Sequence, residues 1–304
     1  MSVEAYGRAA DLGVVAAYFA PRASPARRAR FERFAAPLRA GDAPFRVVEL
    51  VLDGSAPELA DSGDVVRIRG RDVLWQKERL LARAIAELPR SCTKVAWVDC
   101  DVLFDDPRWL VETSRALEDA QWVQPFSRVM LEAPGGARAV ESYAAVLARD
   151  PAAHRGGNFD RHGHTGFAWA TRRESLVAGG LYTRAIAGGA DHAMAHAFAG
   201  EREGPCLDRV LGLGLLRADF DRWARRLPRS HELAIGCVEG DARHLFHGAH
   251  AERRYLERYE ALHALDFDPA RDLVADGDAW GWSAAADPRL GAFLRSYFAG
   301  RTSD

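Results

Sequence analysis

The sequence predicts an α/β fold with a mostly parallel central sheet and a C-terminal extension of helices and loops. Three observations support it: short apolar runs typical of buried strands, amphipathic helical stretches between them, and turn residues at their boundaries. The chain has 304 residues, of which 48% are hydrophobic, so it can bury a sizeable core. We expect one main domain over residues 1–260, with an extension over residues 261–304 packed on it.

Apolar runs and helical periods alternate through the first part of the chain. Residues 13–19, 45–52 and 65–69 predict buried strands. Residues 25–38 predict an amphipathic helix with apolar side chains at spacings of three and four. The arginines of this helix lie mostly on its other face, which favours a solvated surface over a phosphate contact. A second helix is predicted over residues 73–88, before Pro89.

A strand predicted at residues 94–98 ends in Asp99-Cys100-Asp101. In a doubly wound sheet, ligands bind at the carboxyl ends of strands. Two carboxylates there suit Mg²⁺ or Mn²⁺ shared with phosphate oxygens, and such an ion neutralises charge on a departing nucleoside diphosphate. Taken alone, the same three residues also fit a turn that caps a helix.

The central part of the chain continues the alternation less regularly. Asp106 fits a helix N-cap and Pro107 a first helical position, which predicts a helix to about Leu117. Strands are predicted at residues 122–126 and 167–170, and a helix at residues 191–198. Between them, residues 131–164 are predicted to form a loop-rich excursion with a helical patch near residues 139–148. Long loops of this kind often form lids or substrate loops.

Composition excludes several classes of partner. The formal net charge of −2 offers no concentrated positive field for nucleic acid or a membrane surface. The early apolar run at residues 12–20 is shorter than the roughly 20 residues of a membrane span, so no transmembrane segment is expected. The four cysteines show no CxxC pair and no metal-ligand spacing, which predicts reduced thiols in a cytoplasmic protein.

Sequence blocks in a defined order resemble the glycosyltransferases of the GT-A fold, particularly bacterial and phage members of the family-2-like superfamily. The resemblance implies the GT-A (Rossmann-like, nucleotide-diphospho-sugar transferase) fold. It also implies transfer of a sugar from a nucleoside-diphosphate donor, with a UDP-sugar favoured, to a carbohydrate or other hydroxyl acceptor, using Mn²⁺ or Mg²⁺. The blocks are WQKERLL (75–81), KVAWVDCDVLF (94–104), GFAWATRR (166–173), GGLY (179–182), GGADHAM (188–194) and HLFHG (244–248).

The resemblance also implies roles for individual residues. Asp99 and Asp101 would be the Asp-x-Asp metal pair and His247 the third metal ligand, with His244 as the competing choice. Asp191 would face the acceptor hydroxyl and accept its proton in an inverting displacement. Family members commonly have Glu-Asp here, whereas Ala190 precedes Asp191 in this chain, so the base role and the stereochemistry stay open. Asp191 also fits a helix N-cap, and either histidine also fits a hydrogen-bonded core or loop residue.

Further candidates for the donor and acceptor sites each have a structural alternative. Lys77 resembles a residue near the donor site in related sequences, or its long side chain packs between a helix and the sheet. Arg253 and Arg254 would clamp a diphosphate, or they lie on a solvated helix face. Asp53, at the end of the strand at residues 45–52, would read the nucleoside base. Trp169 would lie under a sugar or acceptor, or it packs in the core.

Two other classes of protein remain as alternatives. A haloacid-dehalogenase-type phosphatase also uses Asp-x-Asp after an apolar strand, but that strand is usually near the amino terminus and is followed by Thr or Val, whereas Leu103 and Phe104 follow here. A non-catalytic nucleotide- or carbohydrate-binding protein of the same fold is the second alternative. Retention of both carboxylates and of His247 favours the enzyme.

Overall fold

Strands and helices alternate along the chain. The computed structural model describes residues 6, 7, 9–153, 161–177, 179–228, 235–248 and 253–301. In chain order the elements are β1 (Leu12–Phe19), α1 (Pro25–Ala40), β2 (Phe45–Leu52), β3 (Val65–Gly70), α2 (Lys77–Glu87), β4 (Lys94–Val98), β5 (Val102–Phe104), α3 (Trp109–Asp119), β6 (Trp122–Gln124), β7 (Arg128–Ala133), β8 (Gly136–Glu141), α4 (Tyr143–Arg149), β9 (Ala168–Arg172), α5 (Ala190–Phe198), α6 (Pro205–Leu211), α7 (Leu215–Ala224), β10 (Ile235–Cys237), β11 (Asp241–His244), α8 (Tyr255–Ala264), α9 (Pro269–Asp272), β12 (Leu273–Asp276), β13 (Ala279–Trp282) and α10 (Pro288–Ala299).

The central sheet has seven strands in the order β10-β6-β9-β4-β1-β2-β3. Strands β1 to β4 are parallel, and β10 is parallel to β6. Strand β9 is antiparallel to both of its neighbours, β4 and β6. The predicted α/β class with a mostly parallel sheet is therefore confirmed.

Hydrophobic clusters cover both faces of this sheet. One cluster joins it to α2, α5, α6 and α7, and the other joins it to α1 and α3. Because a strand covered on both faces needs apolar residues at successive positions, β2 and β4 appear in the sequence as mostly apolar runs, interrupted in β2 by Arg46 and Glu49. The predicted bounds of these two strands, residues 45–52 and 94–98, are confirmed.

A smaller sheet, β5-β11-β7-β8, lies beside the carboxyl end of β4. It corrects the prediction that residues 131–164 are loop-rich, because β7 and β8 form an antiparallel hairpin and α4 follows; residues 154–160 lie outside the described part of the chain. Strand β8 is almost wholly exposed, so it has no buried face that would produce an alternating apolar pattern.

Three predicted helix starts differ from those in the structure. Helix α3 begins at Trp109 instead of Pro107, because the Asp106 carboxylate accepts from the backbone N–H of Arg108 at 2.8 Å in a preceding turn. Helix α2 begins at Lys77 and not at residue 73, since the backbone N–H of Trp75 donates to the carbonyl of Ile186 at 2.9 Å. Helix α5 has Gly189 as its N-cap, so Asp191 lies inside the first turn.

The last part of the chain packs against the start of α2. The backbone N–H of Trp280 donates to Gln76 Oε1 at 2.7 Å, and Tyr297 and Phe298 of α10 are buried. The predicted division at residue 260 falls within α8 and stays a prediction. Among the helices in the described ranges, none combines the length and apolar character needed to cross a membrane.

Candidate functional site

A cavity of about 1100 Å³ opens at the carboxyl ends of β1 and β4. Its floor carries most of the residues that the sequence singled out, although they come from distant parts of the chain. This location agrees with the expectation that ligands bind beyond the carboxyl ends of parallel strands. The predicted site residues that line it are Lys77, Asp99, Asp101, Asp191, His244, His247 and Arg253.

Lys77 joins two of the predicted carboxylates. Its Nζ lies 2.9 Å from Asp99 Oδ1 and 2.8 Å from both carboxylate oxygens of Asp191. Lys77 begins α2, Asp99 follows β4 and Asp191 lies in the first turn of α5, so the ammonium ties three elements together. The alternative that Asp191 serves as a helix N-cap is wrong, because its carboxylate binds Lys77 and Gly189 occupies the cap.

Burial and charge together set the protonation of this ion cluster. Burial raises the pKa of Asp99 to about 6, even though the ammonium of Lys77 opposes this shift. Burial also raises the pKa of the neighbouring Glu78 to about 8. For Lys77 burial disfavours the charged form, but the carboxylates of Asp191 and Asp99 outweigh it and hold the pKa well above the ordinary value. The cluster thus places one ammonium among three carboxyl groups.

A second cluster lies beside the first one. His247 Nε2 is 2.9 Å from Asp101 Oδ2, and His244 Nε2 is 3.7 Å from the same oxygen. The pairing of β11 with β5 produces this contact, because His244 lies opposite Val102 and the backbone N–H of Leu245 donates to the carbonyl of Asp101 at 2.9 Å. Burial would raise the pKa of Asp101, but the two histidines hold it well below its ordinary value.

The donor atoms of this second cluster fit a divalent cation. One atom each from Asp101, His244 and His247 lies within 4.8 Å of the others. One carboxylate and two imidazoles suit Mn²⁺ or a similar transition metal better than Mg²⁺, which prefers oxygen ligands. The two histidines, which the sequence offered as competing choices, converge on Asp101 together, whereas the carboxylate of Asp99 binds Lys77.

Arginines dominate the remaining polar lining of the cavity. Arg253 approaches His247 Nε2 to 2.7 Å with its Nη2 atom. The sequence favoured a solvated face for the arginines of α1, and Arg28 is exposed, whereas Arg27 and Arg30 line the cavity. Guanidinium groups bind phosphate oxygens in bidentate fashion, so this lining suits a polyanionic ligand. The lining arginines are Arg22, Arg27, Arg30, Arg138, Arg209, Arg253, Arg258 and Arg301.

Three predicted site residues lie elsewhere. Trp169 is 1% exposed, and its indole N–H donates to the carbonyl of Thr165 at 2.8 Å, so the aromatic face is buried in the core and cannot support an acceptor. Asp53 follows β2 with an exposed side chain that is not part of the cavity lining. Arg254 points outward and forms an ion pair with Glu257.

Arg258, and not the predicted Arg254, lines the cavity. Its buried guanidinium donates to the hydroxyls of Tyr297 at 2.8 Å and Tyr259 at 3.1 Å, and it lines the cavity. The sequence offered no signal that favours Arg258 over Arg254. Which of the two arginines faces the cavity depends on the direction of α8, which begins at Tyr255.

Sequence reasoning also missed a buried cluster of three histidines and a cysteine. The ligand atoms of His162, His192, His196 and Cys206 lie within 4.8 Å of one another. The spacing of His192 and His196 on a predicted helix was the one available signal, because residues four apart share a helix face. The cysteines have no metal-ligand spacing along the sequence, and it is the fold that brings Cys206 to the three histidines; all four cysteines are free thiols as predicted.

Comparison with known proteins adds a distant likeness. The fold is similar to a solved structure of 4-diphosphocytidyl-2C-methyl-D-erythritol synthase from Anaerococcus prevotii, at 9% sequence identity and a TM-score of 0.34, over 76% of this chain and 88% of that one. No family model matches the sequence, and no curated protein matches it. The fold class therefore rests on the strand order, and any inference about the chemistry rests on the residues that line the cavity.

Proposed function

We propose that this chain is a metal-dependent glycosyltransferase of the GT-A type, which moves a sugar from a nucleoside-diphosphate donor, with a UDP-sugar favoured, to a hydroxyl acceptor. The observation that carries the proposal is the convergence of Asp99, Asp101, Asp191 and His247 on one cavity. These residues come from three separate sequence blocks, and the resemblance implies metal, donor or acceptor roles for each of them.

The donor side of the proposed site combines a cation site with arginines. Asp101, His244 and His247 would hold Mn²⁺ or Mg²⁺, and the ion would neutralise charge on the leaving diphosphate. Arg253 lies against His247, so its guanidinium is placed to contact the same phosphate groups. The arginines of α1 line the cavity from the other direction. A diphosphate would thus meet positive charge from several sides.

The acceptor side of the proposed site centres on Asp191. Its carboxylate is 28% exposed, so it is open to the cavity while Lys77 fixes its position. A carboxylate held in this way accepts a proton from a hydroxyl within hydrogen-bond reach. Because Lys77 binds Asp99 as well, its ammonium sets the spacing between the donor and acceptor sides.

Nucleotide binding tests the donor side directly. The melting temperature of the purified chain is measured with UDP, GDP, CDP and ADP, each with and without MnCl₂. We expect a rise with one nucleoside diphosphate that is larger when Mn²⁺ is present, because a ligand that binds only the folded state stabilises it. Asp101→Asn should remove the Mn²⁺-dependent part of the rise. Asp53→Asn is the matched control and should behave like the unchanged protein.

Transfer tests the acceptor side. Release of the nucleoside diphosphate is followed with a panel of nucleotide sugars and simple glycosides. Asp191→Asn should lower the rate by about 100-fold or more while nucleotide affinity is retained, as expected for loss of a general base. Full turnover in this variant would refute the assigned role of Asp191.

Assays on the same protein distinguish a glycosyltransferase from the two alternatives, a phosphatase and a non-catalytic binding protein. Phosphate release from p-nitrophenyl phosphate that depends on Asp99 would favour the phosphatase. Mn²⁺-dependent nucleotide binding without hydrolysis or transfer for any sugar in the panel would favour a non-catalytic binding protein. If nucleotides produce no melting shift under any condition, the proposed function is wrong.

A further inference from the structure

A buried cluster of His162, His192, His196 and Cys206 adjoins the cavity, whose lining includes His162 and His192. All four side chains are at most 5% exposed. None of them belongs to the predicted donor or acceptor residues, and the proposed transfer reaction assigns them no role. The cluster therefore requires an explanation of its own.

Three separate parts of the chain supply these four residues. His192 and His196 are four residues apart on α5, so they project from one face of that helix. Cys206 is the second residue of α6, and His162 comes from the segment before β9. Metal sites in proteins are commonly built this way, with a His-x-x-x-His pair on a helix completed by ligands from other elements.

The distances within the cluster match a shared metal ion. Cys206 Sγ lies 3.4 Å from His196 Nε2. Zinc bonds of about 2.1 Å to nitrogen and 2.3 Å to sulfur place two tetrahedral ligands roughly 3.6 Å apart. The ring centroids of His192 and His196 are 4.6 Å apart, and that of His162 is 5.1 Å from each of them.

His162 also has the hydrogen bond expected of a metal ligand. Its Nδ1 lies 3.0 Å from the carbonyl oxygen of Gly163. Metal-bound histidines usually donate the N–H of the other ring nitrogen to a carbonyl or carboxylate, which fixes the ring and directs its free lone pair at the ion. The Tyr143 ring packs against His162 and His196 at centroid distances of 5.5 Å and 5.4 Å and holds both rings in place.

We propose that His162, His192, His196 and Cys206 bind a structural zinc ion. Three nitrogens and one sulfur without a carboxylate favour zinc over Mg²⁺ or Mn²⁺, and four protein ligands make a closed tetrahedral site. This ion would join the start of α5 to the segment before β9. Asp191 precedes the ligand His192, and His164 and Phe167 follow His162 in the cavity wall, so the zinc ion would hold two walls of the cavity together.

Metal analysis of the purified chain tests this proposal without any donor or acceptor. The protein is expressed in zinc-supplemented medium, dialysed against EDTA and analysed by mass spectrometry for metals. We expect one zinc ion per chain that survives dialysis. After removal of zinc under denaturing conditions and refolding with Co²⁺, we expect the visible bands of tetrahedral cobalt and a thiolate-to-cobalt charge-transfer band.

Point variants test whether this cluster binds the zinc ion. Cys206→Ser should lose the retained zinc and the charge-transfer band, whereas the matched control Cys237→Ser should keep both. Asp101→Ala should also keep the zinc, which separates this cluster from the donor metal site. Wild-type protein that holds no zinc and gives no cobalt spectrum would overturn the proposal, even if Cys206→Ser fails to fold. Loss of zinc in Asp101→Ala with retention in Cys206→Ser would overturn it as well.

Discussion

Lys77 is the residue on which the charge balance of the cavity floor depends. Its ammonium is 2.9 Å from Asp99 and 2.8 Å from Asp191, and 3.8 Å from Glu78. Removing one member of a buried ion cluster leaves the other charges uncompensated, which costs far more than the loss of a surface ion pair. Under the proposed function, stability and transfer would therefore depend on the same side chain.

Replacement of Lys77 by methionine is expected to lower the free energy of unfolding by about 3 kcal/mol, because buried Glu78 and the partly buried carboxylates of Asp99 and Asp191 lose their cation. Lys94→Met is the matched control, since the chain has just these two lysines and the carboxylates of Asp11 and Glu118 beside Lys94 are 37% and 67% exposed. Urea unfolding measures both. Equal losses in the two variants would contradict the role given to the ion cluster.

Glu78 gives the cavity floor a pH-dependent stability. Burial raises its folded-state pKa from 4.5 to about 8, so the folded protein binds this proton more tightly than the unfolded chain does. Its contribution is therefore fully present below pH 4.5 and is lost as the pH rises to about 8. Glu78→Gln removes this titration.

The Glu78→Gln variant should accordingly gain stability over the unchanged protein as the pH rises from 5 to 8.5. Urea unfolding at four or five pH values within this range provides the measurement. A difference that stays constant across the range would show that Glu78 does not titrate within it.

At the scale of the elements, the sequence predicted what depends on local burial. Strands β2 and β4 are covered on both faces, so their apolar runs gave their bounds directly. The hairpin of β7 and β8 was missed because β8 is exposed and is held by backbone pairing with β7, which leaves no apolar signature. Helix starts at Trp109 and Lys77 were missed because contacts outside the helix decide them.

In the candidate site, too, some residues could be predicted from a local sequence pattern, and some contacts could not. Asp99 and Asp101 were found because they follow an apolar strand, and Asp191 and His247 because they stand in family-like blocks. The bridge from Lys77 to both Asp99 and Asp191 joins residues 22 and 114 positions apart, so no local pattern encodes it. Trp169 resembled a binding residue in sequence, and packing alone places it in the core.

The turn before α5 is an element on which Asp191 depends. Gly189, its N-cap, has φ +88°, and a methyl group there would lie 2.7 Å from Val210 Cγ1 and 2.8 Å from the Tyr259 hydroxyl. Gly189→Ala is expected to cost about 3 kcal/mol, through an unfavourable φ and steric overlap together. It should also lower transfer under the proposed function, because the first turn of α5 shifts.

Gly54→Ala is the matched control for this substitution. Gly54 has φ +79°, but nothing lies within 4 Å of an added methyl group. Its expected cost is therefore that of the backbone alone, about 1 kcal/mol. Thermal or urea unfolding of the two variants separates the two contributions, and equal costs would show that the space around Gly189 is not restrictive.

At the scale of the whole molecule, the C-terminal helix α10 completes the cavity. Phe298 and Arg301 line it, and the hydroxyl of Tyr297 accepts a hydrogen bond from Arg258 at 2.8 Å and donates one to the carbonyl of Arg253 at 3.2 Å. Tyr297 therefore positions two of the cavity arginines. The C-terminal segment is thus part of the cavity wall as well as a cover for the hydrophobic core.

Tyr297→Phe removes both hydrogen bonds and should cost about 2 kcal/mol, since one of them satisfies a buried guanidinium. Under the proposed function it should also raise the Kd of the nucleotide that binds, measured by calorimetry. Tyr182→Phe is the matched control: its hydroxyl bonds to buried Asp219 at 3.2 Å, away from the cavity lining. That variant should lose stability and keep the Kd. A Kd raised equally in both would indicate a general loss of stability.

The pairing of β6 with β9 has a consequence for how this molecule can diverge. After Gln124 the chain leaves the central sheet at β6 and returns to it at the adjacent strand β9, and β7, between them, pairs with β11 from outside this segment. Its members Arg138, Val140 and residues 162–167 form one wall of the cavity, whereas β1 and β4 form another. Exchange of this contiguous segment between relatives would therefore change one wall of the cavity, provided that the pairing of β7 with β11 beside His244 is kept.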